Sequence, residues 1–275
     1  MTYKNIIKQY AKELKNITHI PIKEVEILLL SILDKNTIWL HLNYDKECNC
    51  QKELEKLVKK RATNYPLEYI IQKATFYGET FVVRDGVLIP RPETEILVEK
   101  AINILQTIKN PKVVEIGTGS GVISVILALF VPNIKITAVD INPKALELAK
   151  LNAKKFNVEE KITFVLSDIF TNLQSVDFDM TISNPPYISD SFVLPKNVQY
   201  EPKNALFGGI KGDELLKKII DATVYNNIQY LLCEMGYDQK KSIEEYLSHF
   251  QPKNIEFYKD LENLDRGFVV KFFNS

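Results

Sequence analysis

Apolar residues recur at helical spacing through the first part of the chain: Ile6, Ile7, Tyr10 and Leu14, then Val25, Leu28, Leu29, Ile32 and Leu33. Pro21 stands where a helix would start, because the first helical turn tolerates a missing N–H. A third periodic segment runs from Glu53 through Leu57 to Arg61 and stops before Pro66. No strand-like alternation interrupts this stretch. Residues 1–75 therefore predict a small helical domain of four or five short helices, with Trp39 in its core and Lys59-Lys60-Arg61 on a solvated helix face.

The pattern changes at Phe76. Residues 76–89 are rich in aromatic and β-branched side chains, and Asp85-Gly86 is a strong turn signal, so 76–90 are expected to form a β-hairpin linker. Pro90-Arg91-Pro92-Glu93-Thr94-Glu95 then opens a helix over 94–108, with acids in the first turn where the helix dipole favours them. From residue 112 short apolar strands alternate with amphipathic helices. Strands are expected near 112–116, 134–139, 162–166, 178–183, 228–234, 254–258 and 267–273, and helices near 121–131, 143–156, 212–225 and 238–249. This alternation predicts an α/β domain over 91–275, built on a mostly parallel seven-stranded sheet covered on both faces.

Composition narrows the class. Of 275 residues 45% are hydrophobic and 25% charged, ordinary for a soluble globular protein. The 35 basic residues balance the 35 acidic ones, which weighs against a protein that lives on bulk nucleic acid. Residues 1–75 carry a net charge of +4, which suits a solvated helix face and also an acidic or phosphate-bearing partner. Three cysteines do not make a disulfide scaffold, and Cys48-Asn49-Cys50 has no second pair or histidine at zinc spacing. His19, His41 and His249 lie far apart in sequence, so no metal site is expected. The first residues do not read as a signal peptide, and no apolar run reaches the ~18 residues that span a bilayer. A cytoplasmic location with no membrane partner is expected.

The chemistry gathers at Asn184-Pro185-Pro186-Tyr187, after the strand-like run Phe178–Ser183. Two prolines have no backbone N–H, so the loop offers carbonyl acceptors with few competing donors. Asn184 adds a side-chain carbonyl and Tyr187 an aromatic wall. Such a loop can receive a planar –NH2 group. Taken alone, it reads equally well as a strand ending in a rigid turn.

Upstream, Val113–Ile116 is a buried strand running into Gly117-Thr118-Gly119-Ser120-Gly121 and then a helix. The glycines permit left-handed backbone and close approach of a ligand, and a strand end that opens a helix is where open α/β sheets bind ligands. The spacing is G-x-G-x-G, not that of dinucleotide folds. Asp140 ends the second apolar strand, where a carboxylate can accept both ribose hydroxyls, while Asn142 and Pro143 fit a helix cap and first position. Asp168 ends the third strand, where it can meet an adenine amino group with Ile169 packed on the ring; by itself it reads as a turn residue. There is no phosphate-binding lysine motif. Glu115 reads as orienting the glycine loop, Glu234 as structural, and Arg91 as either a catalytic group or a brace.

Taken together, these elements resemble the class I S-adenosylmethionine methyltransferases: glycine loop after strand one, acids after strands two and three, catalytic loop after strand four. Further stretches are similar to the release-factor glutamine methyltransferases (the HemK/PrmC family): Phe76-Tyr77-Gly78 through Leu88–Glu95, Pro66–Ile70, Tyr200-Glu201-Pro202, Ala205-Leu206, Gly208-Gly209, Glu234-Met235-Gly236 and Asp265-Arg266. The chain departs from that pattern at Gln72, where the family usually has Gly, and at Lys211-Gly212, where it usually has Asp-Gly.

The resemblance implies a Rossmann-like methyltransferase domain that uses S-adenosyl-L-methionine and releases S-adenosyl-L-homocysteine. It implies methylation of the glutamine side-chain amide in the Gly-Gly-Gln loop of class I peptide chain release factors, with the helical domain helping to hold the factor. Gly117–Gly121, Asp140, Asp168, Ile169 and Asn184 are the expected cofactor residues, and Asn184, Pro185, Pro186 and Tyr187 the expected substrate and catalytic residues. A monomer without direct nucleic-acid contact is expected. The competing functions are an adenine or guanine amino-methyltransferase, which usually carries a target-recognition or basic RNA-binding module, and a non-catalytic partner-binding protein of the same fold.

Overall fold

The structure is a computed structural model and describes residues 1–173 and 176–273. The chain divides into two compact units, Met1–Lys73 with Leu194–Tyr200, and Ala74–Val193 with Glu201–Ser275.

The first unit is helical, with α1 (Tyr3–Ala11), α2 (Pro21–Leu33), α3 (Thr37–Leu42), α4 (Gln51–Ala62) and α5 (Leu67–Ile71). Pro21 opens α2 as the sequence predicts, and the Thr2 and Asn36 side chains cap α1 and α3 by accepting backbone N–H bonds. Ile6, Tyr10, Leu14, Val25, Leu28, Leu29, Leu54 and Val58 meet in one apolar core. Trp39 flanks that core instead of filling it: it is half-buried, edge-on to Tyr3 with ring centroids 5.7 Å apart. The basic run also divides differently from the expectation. Lys59 pairs with Glu55 on the exposed face, whereas Arg61 is buried and donates to both oxygens of Glu24 at 2.7 and 3.1 Å. Gln72 ends α5 at φ +56, the left-handed conformation that favours glycine. The second segment of this unit is pinned by Tyr200, whose hydroxyl donates to the Thr63 carbonyl at 3.0 Å and whose ring lies 5.1 Å from that of Tyr65.

The second unit begins with a hairpin of β1 (Lys73–Phe76) and β2 (Glu79–Val82). It turns at Tyr77-Gly78, not at Asp85-Gly86. Tyr77 and Gly78 both hold positive φ, +53 and +76, which a tight two-residue turn requires. Phe76 and Phe81 are fully buried edge-on against each other, so burial of this aromatic pair decides which of two turn signals closes the hairpin. Residues 83–90 continue without strand structure.

There follow α6 (Thr94–Leu105), β3 (Lys112–Ile116), α7 (Val122–Phe130), β4 (Lys135–Asp140), α8 (Pro143–Lys155), β5 (Ile162–Leu166) and β6 (Met180–Ser183). A short parallel pair, β7 (Ile188–Ser189) and β8 (Phe207–Gly209), precedes α9 (Glu214–Tyr225), β9 (Tyr230–Glu234), α10 (Lys240–Ser248), β10 (Asn254–Lys259) and β11 (Asp265–Lys271). The main sheet has seven strands in the order β10-β11-β9-β6-β3-β4-β5. β9, β6, β3, β4 and β5 run parallel, and β11 is antiparallel to both its neighbours. Two apolar layers cover the sheet, one around α6 and α7 and the other around α9 and α10, which is why its inner strands read as unbroken hydrophobic runs. Among the described residues no helix is long and apolar enough to cross a membrane.

Candidate active site

Strand register alone brings the four sequence motifs to one edge of the sheet. Ile116 pairs with Ser183, so the glycine loop after β3 and the Asn184–Tyr187 loop after β6 leave the sheet side by side. The Ser183 hydroxyl ties them by donating to the Ile116 carbonyl at 2.7 Å. Asp140 pairs with Leu166, which puts it beside Ser167-Asp168-Ile169. Strand order runs from β3 outward in both directions, so this is the topological switch point where open parallel sheets bind ligands.

A cavity opens there. Of the residues singled out in the sequence, Gly117, Gly119, Asp140, Asp168, Ile169, Asn184 and Pro186 line it. Val87, Leu88, Ile116, Ile141 and Leu215 add apolar wall. Thr118, Ser120 and Gly121 are buried behind the loop and hold its shape. Thr118 and Ser124 donate to Glu115, and the buried Asn152 amide donates to the Ser120 carbonyl at 2.8 Å and exchanges bonds with Val82 of β2. Pro185 is buried within the Asn184–Tyr187 loop.

The lining fits a nucleoside. A side chain built at Gly117 or Gly119 would meet nothing within 4 Å, so both glycines, at φ +72 and +54, leave open space against the backbone. The Asp140 carboxylate accepts the Gly119 and Asn142 N–H groups at 2.9 and 2.8 Å, one on each oxygen, and keeps further lone pairs for a ligand. Burial raises its pKa, and those N–H bonds hold the rise back. Ile169 is a β-branched residue at φ +50, a costly conformation that puts it on the cavity wall.

Tertiary contacts add supports around the site. The Thr94 hydroxyl donates to Glu234 Oε2 at 2.6 Å, and Asn184 Nδ2 donates to Thr94 Oγ1 at 2.9 Å. Tyr187 donates to the other Glu234 oxygen at 2.9 Å. Glu201 accepts from Arg91 at 2.6 Å and from the Ile89 N–H at 3.0 Å, so Arg91 is a brace between two segments that line the cavity, 86–88 and 202–205. Gly208 and Gly212 nest against the catalytic loop: a Cβ on either would sit 2.4 Å from the carbonyl oxygen of Pro186 or Tyr187.

A glycine loop, two strand-end carboxylates and an Asn-Pro-Pro-Tyr loop at the switch point of this sheet define a class I S-adenosylmethionine-dependent methyltransferase. The catalytic domain of hMettl16, solved with a MAT2A 3'UTR hairpin, has the same fold at TM-score 0.57 and 16% identity, over 79% of this chain and 82% of its own. Family models match as Methyltransferase small domain over residues 93–200 and as PrmC N-terminal domain over 5–71.

Release factor glutamine methyltransferases from Aquifex aeolicus and Buchnera aphidicola are 32% and 34% identical, covering 90% and 97% of this chain and 90% and 98% of their own lengths. That from Fusobacterium nucleatum is 35% identical over 91% of this chain and 73% of its own. The chain belongs to the release factor glutamine methyltransferase family.

Proposed function

We propose that this enzyme methylates the side-chain amide nitrogen of the glutamine in the Gly-Gly-Gln loop of class I peptide chain release factors. It does so in the cytoplasm, as a monomer, with the helical unit docking the factor. The observation that carries the reading is Asn184. Asn184 lines the cofactor cavity, and its Nδ2 is engaged by Thr94, which leaves Oδ1 to accept. S-adenosylmethionine, when bound, supplies a methyl group on a sulfonium, already a good leaving group.

The remaining difficulty is the nucleophile, because an amide nitrogen shares its lone pair with its carbonyl. Asn184 Oδ1 and the Pro185 carbonyl accept the two N–H bonds of the substrate amide. They hold the nitrogen in place and favour the positive charge that develops on it. Neither acceptor is a general base, and the proton leaves late, to water. Tyr187 packs on the glutamine side chain and excludes water. Asn184→Ala is expected to lower kcat for a purified release factor about a hundredfold while the cofactor still binds. Near-normal turnover of that variant contradicts the reading.

A further inference from the structure

An asparagine amide serves as an acceptor only when it faces the right way, and its two ends have almost the same shape. Something must therefore decide that Oδ1, not Nδ2, meets the substrate amide. We propose that Thr94 and Glu234 are positioning residues that set the orientation of the Asn184 amide. The proposal rests on the reading of Asn184 given above.

The argument is a count of protons. Glu234 is 1% exposed, and each of its oxygens receives one hydroxyl: Oε2 from Thr94 at 2.6 Å and Oε1 from Tyr187 at 2.9 Å. As a carboxylate it can only accept, so both hydroxyl protons point at it. Thr94, itself 2% exposed, has then spent its only proton. Toward Asn184, at 2.9 Å, its oxygen can only accept, and the group it accepts from must be Nδ2. With Nδ2 held in this way, Oδ1 is turned from Thr94. One buried carboxylate thus fixes both ends of the catalytic loop, Tyr187 directly and Asn184 through Thr94.

The flipped amide would place Oδ1 against a hydroxyl oxygen with no proton left to share and leave Nδ2, a donor, facing a substrate –NH2 that is also a donor. Burial raises the Glu234 pKa, and the bonds from Thr94 and Tyr187 together with the charge of Arg266 hold that rise back; Arg266 is itself anchored by two bonds to Asp260, at 3.0 and 2.7 Å. The relay draws on α6, the loop after β6, and the end of β9, so no stretch of sequence contains it.

The test is a double-mutant cycle on the full-length enzyme, with labelled S-adenosylmethionine and a purified class I release factor. Thr94→Val keeps the side-chain shape and removes the hydroxyl, and it is expected to lower kcat about tenfold to a hundredfold with the KM for cofactor unchanged. Thr94→Ser restores the hydroxyl and is expected to restore kcat. Glu234→Gln, which replaces one of the two acceptor oxygens with an –NH2 donor, is expected to lower kcat as Thr94→Val does. In an Asn184→Ala background Thr94→Val should cost nothing further, because no amide remains to orient.

An equal loss from Thr94→Val in both backgrounds, or a loss from Thr94→Ser as large as that from Thr94→Val, overturns the relay and leaves the reading of Asn184 standing. Should Thr94→Val not fold, the Ser comparison and Glu234→Gln decide. Full activity of Asn184→Ala overturns the reading of Asn184 and the relay with it.

Discussion

Glu115 shows what a single buried carboxyl does beneath the glycine loop. It accepts from Thr118 and from both the N–H and the hydroxyl of Ser124, yet burial outweighs those bonds and raises its pKa from 4.5 to about 7, with the charge of Asp140 adding to the rise. A carboxyl whose pKa is higher folded than unfolded contributes stability that is fully present below the unfolded value and lost as pH rises through the folded one. The enzyme should therefore lose stability between pH 4.5 and about 7. Glu115→Gln keeps an acceptor for the same donors and should remove up to about 3 kcal/mol of that loss. Denaturant unfolding of both proteins across this window checks it, and parallel curves would contradict it. Residues such as Asn184 and Asp140 were legible in the sequence because a strand end and a proline or helix cap define their place locally. Thr94 and Glu234 were not, because their role depends on partners 90 and 140 positions away.

At the scale of elements, the glycines of one loop divide between packing and ligand. A Cβ at Gly121, at φ +82, would lie 2.9 Å from the Ala149 Cβ and 3.0 Å from its Cα, so α7 and α8 can approach only across a glycine. Gly121→Ala should cost about 2 kcal/mol or more and lower the unfolding midpoint. Gly119→Ala meets no neighbour and should instead weaken cofactor binding more than stability. Calorimetry and cofactor titration of the two variants separate these effects, and an unaltered midpoint for Gly121→Ala would contradict the packing argument. The seven strands of the main sheet and their helices were readable because each is long enough to show its period. β7 and β8 were not, since two or three residues carry no period, and what places them is the nesting of Gly208 and Gly212 against the catalytic loop. The hairpin was read at the wrong turn because Asp85-Gly86 is the stronger local signal, while the buried pair of Phe76 and Phe81 selects Tyr77-Gly78.

Over the whole molecule, the chain order of motifs specified the methyltransferase unit before any contact was known: glycine loop, acid, acid, Asn-Pro-Pro-Tyr. The make-up of the helical unit was less legible. Leu194–Tyr200 belongs to it although it lies far along the chain, because Tyr200 finds Thr63 and Tyr65 through a tertiary contact that leaves no local pattern. The family relationship spans both parts, since the PrmC N-terminal domain matches residues 5–71 and relatives align over most of the chain. Enzyme, cofactor, substrate and target atom are tested together by one measurement: methyl transfer from labelled S-adenosylmethionine to a purified class I release factor, with a Gln-to-Asn change in its Gly-Gly-Gln loop as control. Labelling of the unaltered factor that disappears with that change is the predicted result. An unlabelled factor alongside labelled RNA or DNA would contradict the account.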